Sequence, residues 1–350
     1  MASSDNIGNP LHVALLQRMV SAHTDHADPR AGRILEAMLD DAIGLVADGT
    51  DVADLKLLAA VVSELRRAMA VFRPYPGLRK VTAFGSARTR RGEPIYTMAI
   101  DFGRRIADAG FMVITGGGPG IMSAVVEGAG PDRSFGVGIR LPFEQQPADP
   151  LRGDPKLIEF KYFFTRKLFF LKEASAVVLF PGGLGTHDEG FETLTLVQTG
   201  KSRPVPIVCL DVPGSSYWVE WDAYLRRDLL ARGLISEYDL NLYRITDDVG
   251  AAVEEITRFY SVYHSMRTIR GKTILRLQHD VGDDVLTSLG EEFADVLARA
   301  PVRRVRALKE EMDEPAIAHL PRISLDFDQH GFGRLRKLID RVNELGAVRP

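Results

Sequence analysis

AVVLFPGGLGTHDEGFE, residues Ala176–Glu192, passes from an apolar run through a glycine turn into a segment bearing Asp188, Glu189 and Glu192. A short β-branched run followed by a helical segment is half of a βα unit, and similar units recur on both sides of it. Toward the N-terminus lie KVTAFGS from Lys80, a helical segment from about Pro94 to Ala109, FMVITGG from Phe111, a helical segment after Gly120, and SFGVGIRL from Ser134. LIEFKYF from Leu157 and a helix through Arg166 and Lys167 follow. Beyond the quoted stretch come a helix from about His187 to Gly200, VPIVCLD from Val205, a helix near Trp221 to Arg232, LYRIT from Leu242 and a helix from about Val249 to Tyr263. Strands that are apolar throughout and separated by helices predict a parallel sheet covered on both faces. The expected class is α/β, a Rossmann-like doubly wound sheet.

The flanks follow other patterns. From Leu11 to Val71 apolar residues recur at three- and four-residue spacing, which predicts helices broken at ADGTD, where Gly49 ends one and Thr50 or Asp51 caps the next. RPYPGLRK, from Arg73, is a plausible boundary. After RTIRGK, from Arg267, short extended pieces (TILRLQH, RRVRALK, RISLDF) and helices near Val285–Ala298 and Arg334–Leu345 predict a small α+β tail. The expected division is a helical region 1–78, a Rossmann-like domain 79–266 and a C-terminal α+β extension 267–350.

Composition narrows the function. The 350 residues are 45% hydrophobic and 26% charged, as in a soluble globular protein, and a net charge of -3 supplies no global attraction for nucleic acid or an anionic membrane. Neither is an expected partner. RRVR at Arg303–Arg306 reads as a solvated strand edge. The single cysteine, Cys209, sits in an apolar run and reads as a buried hydrophobe. There is no apolar stretch of about eighteen residues, and MASSDNIGNP lacks the basic and apolar regions of a signal peptide, so a cytoplasmic location is expected. His23 and His26 have the spacing of a metal-binding pair but no accompanying cluster, and read as surface residues.

Two glycine loops close strands at their carboxyl ends, where open α/β sheets place ligands. One is TGGGPGIMSA, with Gly116, Gly117, Gly118, Gly120 and Met122; the other carries Gly182, Gly183, Gly185 and Thr186. Glycine lets the backbone approach an anion, and the following helix offers free N–H groups and the positive end of its dipole, so each junction is a candidate phosphate cradle. Neither loop has the G-x-G-x-x-G arrangement of a dinucleotide site, and neither ends in the Gly-Lys-Ser/Thr of a P-loop. Thr186 and Glu189 also fit a capping box, which would give Glu189 a purely structural task. Three acids on the first turns would repel a phosphate unless cations compensate, and Arg166 and Lys167 are available.

PGGLGTHDE matches the PGGxGTxxE motif of the LONELY GUY (LOG) family, cytokinin riboside 5'-monophosphate phosphoribohydrolases once labelled lysine decarboxylases. GGGPGIM resembles that family's other glycine loop, the Arg166–Lys167 pair stands in the corresponding place, and FGSAR, with Ser86, looks like its opening loop. The resemblance covers roughly Lys80 to Tyr263. His187 and Asp188 stand where many members have leucine and glutamate, a difference in the pocket wall. The resemblance implies hydrolysis of the N-glycosidic bond of a nucleoside 5'-monophosphate, AMP or an N6-modified AMP, without metal or organic cofactor, in a homodimer or higher homo-oligomer. It implies Glu189 as the catalytic carboxylate and Arg166 as its partner or a nucleotide contact. Ser86, the residues of both glycine loops, Lys167 and Glu192 would bind substrate, with Glu192 in support of Glu189. His187 reads as a rim residue. A nucleotide sensor using the same loops is the alternative. A pyridoxal phosphate decarboxylase would need a Schiff-base lysine, and Lys167, the candidate in the motif neighbourhood, is better explained by the Arg-Lys pair.

Overall fold

The computed structural model describes residue 18 and residues 29–140, 151–297 and 301–347. His23, His26 and the first part of the helical pattern, residues 11–28 apart from residue 18, lie outside the described residues. The chain divides into two units, residues 1–66 and 67–350. The first is helical where described: α1 (Pro29–Ala47) and α2, which begins at Val52 and runs to Phe72. The break falls at ADGTD, with Gly49 at φ +75° and the Asp51 carboxylate accepting from the Asp54 amide at 2.9 Å.

In the second unit the chain lays down β1 (Lys80–Phe84), α3 (Pro94–Asp108), β2 (Met112–Thr115), α4 (Ile121–Ala129), β3 (Ser134–Ile139), β4 (Leu157–Phe160) and α5 (Phe163–Lys172). It continues with β5 (Ala176–Leu179), α6 (Leu184–Gln198), β6 (Ile207–Leu210), α7 (Tyr217–Tyr224), β7 (Arg244–Thr246) and α8 (Val249–Arg258). The seven strands form one all-parallel sheet in the order β4-β3-β2-β1-β5-β6-β7. Strands β1, β2, β5 and β6 are buried along their whole length, which is why they read as apolar runs rather than alternating ones. The chain builds outward from β1 to β4, then returns to lay β5 against the other side of β1. That reversal is a topological switch point, and its crevice lies beyond the carboxyl ends of β1 and β5. Cys209, in β6, is fully buried.

A second sheet follows, antiparallel, in the order β10-β11-β9-β8, from β8 (Tyr263–Ile269), β9 (Lys272–Leu277), β10 (Arg303–Val305) and β11 (Arg322–Leu325). The sequence pattern carries the helix before it to Tyr263, but α8 stops at Arg258 and Tyr263 opens β8. RTIRGK holds a hairpin turn: Arg270 (φ 50°) and Gly271 (φ 77°) join β8 to β9 as a two-residue loop with both φ positive. Two helices pack on this sheet, α9 (Asp283–Glu292) and α10 (Phe332–Leu345). Arg303 and Arg304 are exposed on the edge strand β10, and Arg304 pairs with Asp280 and Asp283.

One apolar core runs through both sheets, from Val81 and Val178 to Leu275, Leu325 and Leu338. The joint between them is polar and specific. Asn343, buried in α10, accepts the amides of Val262 (2.9 Å) and Tyr263 (2.8 Å) and donates to the Phe259 carbonyl (2.7 Å). The backbone where α8 gives way to β8 thus has its hydrogen bonds completed by the last helix. Asn343→Leu leaves those three groups buried without partners and is expected to cost about 3 kcal/mol or more. Urea unfolding should show one transition shifted to a lower midpoint for the whole 67–350 unit; an unchanged midpoint would contradict this role.

Candidate active site

Three loops meet at the switch point, and one residue joins them. The Ser86 amide, just past β1, donates to the Pro181 carbonyl after β5 (3.1 Å), while its carbonyl accepts from Ile121 at the start of α4 (3.0 Å). Phe180 also donates to Phe84 (2.9 Å). The two glycine loops predicted from sequence therefore sit side by side with Ser86 between them. The fit is close at two glycines. A Cβ on Gly120, where φ is +70°, would lie 2.2 Å from the Ser86 oxygen, and one on Gly182 would lie 2.1 Å from Thr186 Oγ1 and 3.0 Å from the Ser86 nitrogen. Met122, in the first turn of α4, covers Gly116 and Gly118.

Helix α6 starts at Leu184, three residues before the expected position, because Gly183 serves as its N-cap with no side-chain cap bond. Thr186 thus falls inside the first turn, buried against Gly182, and the capping box suggested by its spacing from Glu189 does not form. The consequence is a helix N-terminus whose Gly183, Leu184 and Gly185 are exposed, with first-turn N–H groups that the helix itself cannot satisfy.

Glu189 lies one turn further on and is buried, at 7% exposure. The contact expected from Arg166 is made by the next residue instead. Lys167 Nζ stands 3.7 Å from Glu189, 2.8 Å from Asp188 and 2.7 Å from Glu192, so one ammonium of α5 gathers three carboxylates of α6. Burial opposes the charge on Lys167, but its hydrogen bonds to Asp188 and Glu192 outweigh that and raise its pKa. Arg166 turns the other way: Nε donates to the Val137 carbonyl (2.7 Å) and a terminal nitrogen to the Gly116 carbonyl (3.4 Å), with the guanidinium over the Phe170 ring. Alternate positions on a helix point to different sides, so Arg166 braces the first glycine loop while Lys167 serves the acids. Burial raises the Glu189 pKa to about 7; Glu192 and Asp188 push the same way, and Lys167 and Arg166 resist.

Tyr217, at the start of α7 beyond β6, is a part of the site that the sequence reading did not reach. Its hydroxyl donates to the Gly182 carbonyl (2.5 Å) and contacts His187 Nε2 (2.7 Å). With the hydroxyl proton committed to Gly182, the imidazole donates from Nε2. His187 stacks between Tyr217 and Phe191, and burial lowers its pKa. It supports the glycine turn from behind. The signal was available: an aromatic pair, Tyr217-Trp218, opens the helix after the strand adjoining β5. Among the described residues no group of three or more His, Cys, Asp or Glu side chains is placed to hold a metal ion, and no helix is long and apolar enough to cross a membrane.

The fold and site define a doubly wound, Rossmann-like α/β domain with paired glycine turns at its switch point. Residues 112–256 match the family model described as possible lysine decarboxylase, a LOG-type family. The X-ray structure of TM1055 is similar at 21% identity over 51% of this chain and 97% of its own, with a TM-score of 0.37. The molybdenum cofactor carrier protein of Chlamydomonas reinhardtii is similar at 21% identity over 51% and 98%, with a TM-score of 0.34. The molybdenum cofactor binding protein of Rippkaea orientalis is similar at 21% identity over 51% and 93%, with a TM-score of 0.33. No curated protein matches the sequence.

Because the folded state favours protonated Glu189, this side chain costs nothing below the unfolded pKa near 4.5, destabilises increasingly between 4.5 and about 7, and carries its full cost above that. Glu189→Gln keeps the shape and removes the charge. Thermal unfolding should show no difference from the parent near pH 4 and a gain on the order of 2 kcal/mol at pH 8. An equal effect at both pH values would contradict the burial of an ionisable acid here.

Proposed function

We propose that this chain hydrolyses the N-glycosidic bond of a nucleoside 5'-monophosphate, AMP or an N6-modified AMP such as a cytokinin riboside monophosphate, to free base and ribose 5-phosphate. One observation carries the reading: a buried acid with a pKa near 7 stands just behind a helix N-terminus whose glycine turn is hydrogen-bonded, through Ser86, to a second glycine turn. The match of residues 112–256 to a generally hydrolase-like family supports it.

In this reading the backbones of Gly116–Gly120 and Gly182–Gly185, with the Thr186 hydroxyl, hold the 5'-phosphate at the positive ends of α4 and α6. Cleavage of the C1'–N bond leaves its electron pair on the base and oxocarbenium character on the ribose. The Glu189 carboxylate stabilises that charge and takes a proton from the water that bonds to C1'; release of that proton to the base nitrogen that received the electron pair yields the free base and restores the carboxylate. Lys167 keeps the local charge of three acids from repelling the phosphate, which assigns Glu192 and Asp188 to support. Arg166 fixes the first glycine loop and faces the same crevice as a positive charge felt by Glu189. Since the carboxylate form is the working one, kcat/KM should rise with pH through a limb near 7.

Purified protein incubated with AMP, GMP, CMP and isopentenyladenosine monophosphate should release base and ribose 5-phosphate from at least one, read by product chromatography. Glu189→Gln should lower kcat by about 100-fold or more while AMP binding changes little. Tight nucleotide binding without base release from any of the four would replace this reading with that of a nucleotide sensor.

The reading includes a homodimer. Phe163, Phe164 and Leu168 of α5 and Leu184 of α6 are exposed on the two elements that Lys167 joins. Apolar side chains grouped at a surface mark an association site. Light scattering should give twice the chain mass, and Phe164→Asp with Leu168→Asp should halve it; a monomeric parent protein would count against the dimer.

A further inference from the structure

A cavity of about 520 Å³ opens at the other rim of the parallel sheet, where β1 and β5 begin. Phe72, Tyr75 and Leu78 give it an apolar wall, and Tyr260 and Tyr263 line its inner side. Five cations surround it, Arg73, Arg79, Lys80, Lys172 and Arg203, and Glu173 is the one acid among the lining residues, a surplus of four positive charges.

Two of the cations are built into the protein. The Arg79 guanidinium lies 3.5 Å from the Tyr260 ring centroid and donates to the His264 carbonyl (3.3 Å). Lys80, itself buried, donates to the carbonyls of Tyr75 (3.2 Å) and Leu78 (3.1 Å) and stands 3.6 Å from Glu173. Burial lowers the pKa of both, and Arg203 adds to the lowering at each. Burial, with Arg79, Arg276 and Arg203, holds His264 down to about 4, so it is neutral here. Lys172 and Arg203 are exposed at the rim. The Tyr263 hydroxyl is buried with no hydrogen-bond partner among the described residues. Like charges gathered around a concave surface raise its potential and concentrate counter-ions there. An unpaired buried hydroxyl adds a donor that has nothing to donate to.

We propose that this cavity is a second ligand site, for a compound carrying a chain of two or more phosphates whose charge matches the surplus of four. The phosphates meet Arg79, Lys80 and the rim cations, and the apolar wall receives the remainder of the ligand. A single phosphate brings at most two negative charges at neutral pH and leaves the surplus half unmatched. The site shares no residue with the switch-point crevice and stands whether or not the chain is a hydrolase.

Equilibrium dialysis of the full chain at 150 mM salt, where purely exposed charge pairs are largely screened, compares inorganic triphosphate, ATP and AMP. Triphosphate and ATP should bind. Lys172→Gln with Arg203→Gln should weaken both at least tenfold, with the unfolding midpoint and AMP binding unchanged. ATP tighter than triphosphate assigns the apolar wall to a base, and equal affinities make the phosphate chain the whole determinant; either supports the site. No triphosphate binding to the parent protein, or the same affinity in the double variant, overturns it. AMP binding reports on the glycine turns separately.

Discussion

Ser86 spends both of its main-chain hydrogen-bonding groups outside its own strand, on Pro181 and on Ile121. Those two bonds convert the reversal of strand order between β1 and β5 into a single crevice. Without them the loops after β2 and β5 would be two separate helix starts on one sheet. With them, the amino ends of α4 and α6 are held at a fixed spacing. Main-chain bonds can do this only where the chains approach closely, and that is the demand met by Gly120 and Gly182. The glycines of this site are therefore matters of fit as much as of phosphate access.

The chemistry of the acids follows from the same geometry. Gly183 starts α6 early, so Glu189 is carried past the capping positions and into a buried place. Burial there favours the neutral acid, and Lys167 limits the effect without cancelling it. A carboxylate near pKa 7 changes charge in the physiological range, which suits it to proton transfer. Its cost is instability that builds between pH 4.5 and about 7 and is fully present above it, the kind of strain that binding sites carry and that the rest of the fold must offset.

The parallel sheet was legible because its strands are buried on both faces and each is followed by a helix with its own period. The glycine turns were legible because composition and position coincide. Lys167 was harder to read. Its neighbour Arg166 is the better carboxylate partner by chemistry, and only the direction each side chain takes from α5 decides which meets α6. Tyr217 was harder to place for a related reason: it reaches Gly182 from the start of α7, thirty-five residues away, and the aromatic pair gains its meaning only from the neighbour relation of β5 and β6. β8 hid behind its exposure, since only Tyr263 and Ile269 of its seven residues are buried and the strand has no apolar run to show. The basic cavity is likewise a product of tertiary structure, with cations drawn from four separate segments of a chain whose net charge is -3.

A crystal structure with ribose 5-phosphate bound would show whether Ser86 joins the two turns into one binding site. The phosphate is predicted between the starts of α4 and α6, within hydrogen-bond distance of the backbone of both glycine turns, and C1 of the sugar on the Glu189 side. A phosphate held by one turn alone, or sugar density that leaves Glu189 without a contact, would contradict the reading of these loops as a single mononucleotide site.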